Sequence, residues 1–103
     1  MTGSAPVLLL ADAEAELDEA VAYYNAQSAG LGAEFAAEVR DGLLRIREYP
    51  DGWQLLGNRV RRYRLRRFPY GLVYAPLPTQ IVIVAVMHLH RKPDFWKERL
   101  PQI

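Results

Sequence analysis

Two sets of residues in this 103-residue chain are suited to chemistry: Arg62, Arg64 and Arg66 at alternate positions, and His88 and His90 followed by Arg91 and Lys92. Same-face residues on an extended strand lie roughly 6.6 to 6.8 Å apart, close to the step between successive phosphates of an extended nucleic-acid strand. Guanidinium groups at that step could grip an RNA backbone or an acidic patch on a protein. They could equally form a solvated strand face whose charge discourages aggregation. Arg59, Arg61 and Arg67 flank them and add charge. An imidazole exchanges protons near neutral pH, and an adjacent guanidinium stabilises developing phosphate charge. Cleavage of RNA by its own 2′-hydroxyl needs those elements. His88 reads as a hydrogen-bonded structural residue and His90 as the candidate base. No Asp/Glu/His cluster with metal-ligand spacing accompanies them, so no metal or other cofactor is expected. Trp96 could stack on a base, although an anchor fastening the C-terminal segment to the sheet is the simpler role. Tyr23, Tyr24, Tyr49 and Trp53 read as core and rim packing.

The charge is divided along the chain. Residues 1–58 hold three arginines against ten acids, a balance of −7, and residues 59–103 hold ten basic residues against two acids, a balance of +8. Eleven of the thirteen basic residues are arginine, whose permanent charge and planar fork match phosphate or carboxylate oxygens. The basic half therefore points to an anionic partner, or else the two halves neutralise each other across one folded surface. Other function classes fall away. The chain has no cysteine, which removes disulfide frameworks, zinc knuckles and thiol nucleophiles and fits a reduced, cytoplasmic setting. Its longest apolar run, residues 81–87, is too short to span a bilayer, no secretory signal is visible, and no glycine-rich phosphate loop or serine nucleophile motif is present.

The elements that must position these groups follow from periodicity. Residues 1–6 read as a loose start, and Val7-Leu8-Leu9-Leu10 as a short strand. Ala13, Leu17, Ala20, Val21 and Tyr24 fall at helical spacing, with acids over much of the remaining surface and crowding the first turns, where the helix dipole favours them. After Gly30 and Gly32 a second stripe, Leu31, Phe35, Val39, Leu43 and Ile46, runs to Pro50. The two helices are expected as an antiparallel hairpin. The period then changes to two. In residues 61–68, Tyr63 and Leu65 point one way, and Arg62, Arg64, Arg66 and Phe68 the other. A second strand begins at Leu72 and ends at Pro76 and Pro78. Residues 81–87, apolar on both faces, mark the central strand. Pro93 opens a short C-terminal turn or helix. One α+β domain over residues 1–103 is expected: a short strand and a helical hairpin packed on an antiparallel sheet whose last three strands form a meander. With the hairpin over Tyr63 and Leu65, the arginines would line an open concave face.

Several stretches resemble the RelE/ParE toxin superfamily of bacterial type II toxin–antitoxin systems. They are residues 13–20 running into Tyr23-Tyr24, Tyr49-Pro50, Arg66-Arg67-Phe68-Pro69-Tyr70 leading to Val73-Tyr74, and Val84-Ala85-Val86-Met87-His88 leading to Arg91-Lys92-Pro93-Asp94-Phe95-Trp96. Their order and spacing agree from Val7 to Arg99. The resemblance implies a cognate antitoxin, whose C-terminal segment would occupy an apolar groove beside the helical hairpin. It implies one of two activities. RelE-like members are metal-independent, ribosome-dependent mRNA endoribonucleases, and ParE-like members bind and poison DNA gyrase.

Carried over residue by residue, the resemblance places Arg62 and Arg64 where RelE-type nucleases keep two basic residues. Gly71 stands where those nucleases have an arginine, and His90 and Trp96 fall where they have a further arginine and an aromatic. Two fixed charges are thus missing, and Trp96 has no hydroxyl for proton transfer. The ParE-like reading leads, with Arg62, Arg64, Arg66 and Arg99 contacting a target protein, expected to be gyrase. Under the nuclease alternative the partners are the ribosome and mRNA. Arg62 and Arg64 would then hold phosphates, with His90 as base, Arg91 stabilising charge and Trp96 stacking on a base.

Overall fold

A computed structural model describes residues 5–57, 59–91 and 94–103. Most of the expected loose start, together with Lys92 and Pro93, lies outside the described residues. A short strand β1 (Val7–Leu9) leads into helices α1 (Ala11–Gln27) and α2 (Leu31–Glu48). Strands β2 (Gln54–Gly57), β3 (Val60–Arg64), β4 (Tyr70–Pro76) and β5 (Ile81–His88) follow, and a 3₁₀ helix (Phe95–Gln102) ends the chain. The five strands form one sheet in the order β1-β5-β4-β3-β2. β1 runs parallel to β5, and every other pairing is antiparallel. The expected strand, helical hairpin and three-strand meander are all present. The parallel β1 makes the sheet mixed, and β2 adds a fourth strand to the meander.

Both helical stripes face the sheet. Ala13 and Ala20 of α1 and Phe35, Val39 and Ile46 of α2 are buried against Tyr63, Leu65, Leu72, Tyr74 and Ile83, with Leu17, Val21, Tyr24, Leu31 and Leu43 packed around them. Asp12 and Glu14 lie in the first turn of α1, and Arg45 and Arg47 in the last turn of α2, each favourable to the helix dipole. The hairpin closes tightly at Gly32, whose N–H donates to Asn25 Oδ1 at 2.8 Å. A Cβ there would stand 2.4 Å from the Val21 carbonyl oxygen, so only glycine lets the two helices approach this closely. On the sheet, residues 81–87 are all buried, as the apolar run on both faces requires.

The second sheet face is not open throughout, contrary to the expectation of an uncovered concave surface. Val60, Val73, Ala75, Val84, Ala85 and Met87 form a second core, which the C-terminal 3₁₀ helix covers with Trp96, Phe95 and Leu100. Among the described residues no helix is long and apolar enough to cross a membrane.

Candidate functional site

The three-arginine stripe is a two-arginine pair. β3 ends at Arg64, because the Leu65 N–H donates to the Tyr70 carbonyl at 2.9 Å and residues 65–69 turn the chain back toward β4. Arg66 therefore leaves the strand. Its N–H donates to Glu38 Oε2 on α2. Arg67 follows it, with its N–H on the same Glu38 oxygen at 2.9 Å and Nη2 on Glu34 at 2.6 Å. The alternation of residues 61–68 could not show this turn, because Phe68-Pro69 breaks the strand later than the hydrogen bonds do.

Arg62 and Arg64 remain on the second face. Arg62 pairs across the sheet with Gln54 and Val73, and Arg64 with Gly71. The Arg62 stem rests on Gly71, where a Cβ would stand 3.0 Å from its Cγ and Cδ. The missing side chain at Gly71 is thus what lets Arg62 lie across the sheet. Arg62 Nη2 donates to Gln54 Oε1 at 2.8 Å, while its Nε is buried without an acceptor. Burial first, and then the charge of Arg64, lower the pKa of Arg62. Neither guanidinium has a carboxylate within 4.0 Å among the described residues. Gln54 was not legible as a site residue because β2 is four residues long and lacks a visible alternation.

Among the remaining basic residues, Arg45, Arg61, Arg67, Arg91 and Arg99 meet carboxylates of the acidic half. Arg99, expected to contact a target, is a structural clamp. Its side chain is 13% exposed and meets Glu16 at 2.7 Å and Asp12 at 3.5 Å, and its Nη1 donates to the Val84 carbonyl at 3.0 Å. Glu16 is 12% exposed and also accepts from the Val86 N–H at 3.0 Å and from Arg91 at 3.2 Å. Hydrogen bonding to Glu16 raises the pKa of Arg99 against the effect of burial. The guanidinium carbons of Arg91 and Arg99 lie 4.0 and 4.9 Å from the Phe95 ring centroid. Glu16 had a sequence signal, since it lies three residues after Ala13 and four before Ala20, on the inner face of α1.

His88 and His90 belong to the helix side. Their rings meet edge-on at 5.2 Å, and His88 meets Tyr70 at 5.1 Å. Tyr70 in turn packs against Tyr24 and Phe35. The His90 N–H donates to His88 Nδ1 at 3.1 Å. Trp96 is 2% exposed in the second core, so it is the anchor and offers no ring to a base. The residues gathered under the nuclease alternative therefore do not converge. His90 lies with His88 and Tyr70 on the helix side, Arg91 bridges Glu16 and Phe95, Arg62 and Arg64 lie on the second face, and Trp96 is buried.

A groove of about 570 Å³ lies beside the hairpin, lined by Tyr23, Tyr24, Gln27, Leu31, Pro69, Tyr70 and His88. It continues past Tyr23 and His88 to Glu16, Glu19 and Arg91. Tyr23 is 56% exposed on its rim. Burial is the main cause of the raised pKa values of Tyr24 and Tyr70.

A solved structure described as "Chromosomal ParDE TA system from P. aeruginosa" superposes with a TM-score of 0.76, covering 86% of this chain and 100% of that one. At 14% identity the likeness shows a shared fold. Among curated proteins none matches the chain. A family model described as "ParE toxin of type II toxin-antitoxin system, parDE" matches residues 7–93, from β1 to the approach of the C-terminal helix. The chain belongs to this ParE toxin family.

Proposed function

We propose that the chain is a growth-inhibiting toxin that acts by binding a target protein, DNA gyrase, and is silenced by a cognate antitoxin. The placement of His90 on the helix side and of Arg62 and Arg64 on the second face, with Trp96 buried, carries this reading. RNA cleavage needs base, acid and fixed positive charge around one phosphate, and these side chains do not surround a common point. Arg62 and Arg64, the exposed or half-exposed cations without carboxylate partners on the second face, supply the target contact. The groove beside α1 receives the antitoxin segment. Its aromatic lining, the apolar floor at Leu31 and the charged end at Glu16, Glu19 and Arg91 suit an amphipathic chain.

The test is induction in cells without the antitoxin. Growth should stop while translated messages stay intact, His90→Ala should leave the arrest unchanged, and co-expression of the partner gene should relieve it. Codon-position cuts in translated messages that disappear in His90→Ala would establish the nuclease and overturn the protein-binding reading.

A further inference from the structure

Arg62 stands out because its surroundings make its charge costly. Its Nε has no acceptor and no exposed surface, its one side-chain partner is the neutral amide of Gln54, and its neighbour Arg64 carries the same charge. Five described arginines meet carboxylates, Arg45 with Asp41, Arg61 with Asp51, Arg67 with Glu34, and Arg91 and Arg99 with Glu16, whereas Arg40, Arg47, Arg59, Arg62, Arg64 and Arg66 form no ion pair among the described residues. Of these unpaired arginines, Arg62 has a buried Nε without an acceptor. An unpaired polar group in a poorly solvated setting costs free energy that an incoming partner recovers. The bed beneath the pair strengthens the effect, since Val73 and Met87 are buried there and low polarity amplifies charge interactions.

We infer that Arg62, Arg64 and Gln54 form a built receptor for an acidic side chain of the target protein. The inference rests on the protein-binding reading above and names the chemistry of its contact. Arginines two positions apart on one strand share a face, so their guanidinium forks can both serve one carboxylate. Gln54, bonded to Arg62 Nη2, holds one fork in place before the partner arrives. A nucleic-acid strand fits less well. With Arg66 outside β3 and its backbone N–H on Glu38, the strand offers two cations, which span one phosphate step. The second face also offers no aromatic platform among its described residues, because Trp96 is buried and Phe95 packs in the second core and against the Arg91 and Arg99 guanidinium groups.

The test reads the arginine Nε–H resonances of the full-length protein by NMR during titration with an acetylated hexaglutamate peptide. Octauridylate and inorganic phosphate serve as comparison probes. Hexaglutamate should shift the Arg62 and Arg64 signals and leave those of the paired Arg99 and Arg67 in place. Arg64→Gln, an exposed change, should weaken the hexaglutamate response about tenfold, the loss of one charge-assisted contact. Gln54→Ala should weaken it too, while the amide spectrum of each variant confirms an intact fold. A response to octauridylate that exceeds the hexaglutamate response would reassign the pair to nucleic acid. Equal responses to all three probes, or none at Arg62, would overturn the receptor. Gyrase supercoiling with the wild-type protein, run in parallel, reports on the broader reading: inhibition without a hexaglutamate response overturns the carboxylate receptor and leaves the gyrase-binding proposal standing.

Discussion

Replacing Arg99 with alanine tests how the C-terminal segment is fastened to the sheet. The substitution removes two hydrogen bonds to Glu16, at 2.7 and 2.9 Å, and one to the Val84 carbonyl at 3.0 Å. It leaves the Glu16 carboxylate, 12% exposed, with the Val86 N–H and the more exposed Arg91. Removing one partner of a buried ion pair costs roughly 3–5 kcal/mol. Because Arg91 still reaches Glu16, the lower end applies, about 3 kcal/mol. For a domain of this size that is a fall in Tm of roughly 12 °C or more. Urea denaturation of wild type, Arg99→Ala, Glu16→Gln and the double variant forms a cycle in which the two losses should be clearly less than additive. In a Trp53→Phe background the emission of Trp96 reports the tail directly, and it should shift to the red in Arg99→Ala before global unfolding. A loss below about 1 kcal/mol, or strict additivity of the two substitutions, would refute the clamp.

Gly32→Ala should destabilise by about 1–3 kcal/mol or more, because the added Cβ meets the Val21 carbonyl, and thermal denaturation would show it. Tyr74 donates its hydroxyl to the Pro50 carbonyl at 2.6 Å, and burial pushes its pKa up to about 12. The folded pKa exceeds the unfolded value of about 10, so its stabilisation is complete below pH 10 and is lost as pH rises toward 12. Denaturation midpoints should fall across that window, and Tyr74→Phe should fall less steeply. Finally, Tyr23→Glu on the groove rim should weaken capture of the antitoxin in a pull-down while sparing growth inhibition, whereas equal loss of both would mean the groove does not serve the antitoxin alone.

Sequence patterning reached most of the fold because the helical stripes and the apolar central strand each have one way to bury their side chains. Ala13, Ala20, Phe35, Val39 and Ile46 face the core as their spacing implies. β2 escaped because its four residues carry no alternation of their own and depend on pairing with β3. At the site, the exposed ends of Arg62 and Arg64 were legible from the period-two pattern. The places of Arg66 and Arg99 were not, since Glu38, which accepts from the Arg66 backbone N–H, and Glu16, which pairs with the Arg99 guanidinium, lie 28 and 83 residues away. Charge counting found the acidic and basic halves, and only the fold shows which charges meet. The tail over the second face was likewise invisible to strand periodicity, although the aromatic pair Phe95-Trp96 signalled that something there needed burying.

The most direct measurement is supercoiling by purified gyrase with increasing amounts of the purified protein, alongside a translating ribosome reaction with a defined message. Dose-dependent loss of supercoiling, weakened in Arg64→Gln and unchanged in His90→Ala, with the message uncut, is the result expected of a toxin that works by docking through the Arg62–Arg64 face. Normal supercoiling together with cuts in the message that require His90 would contradict it.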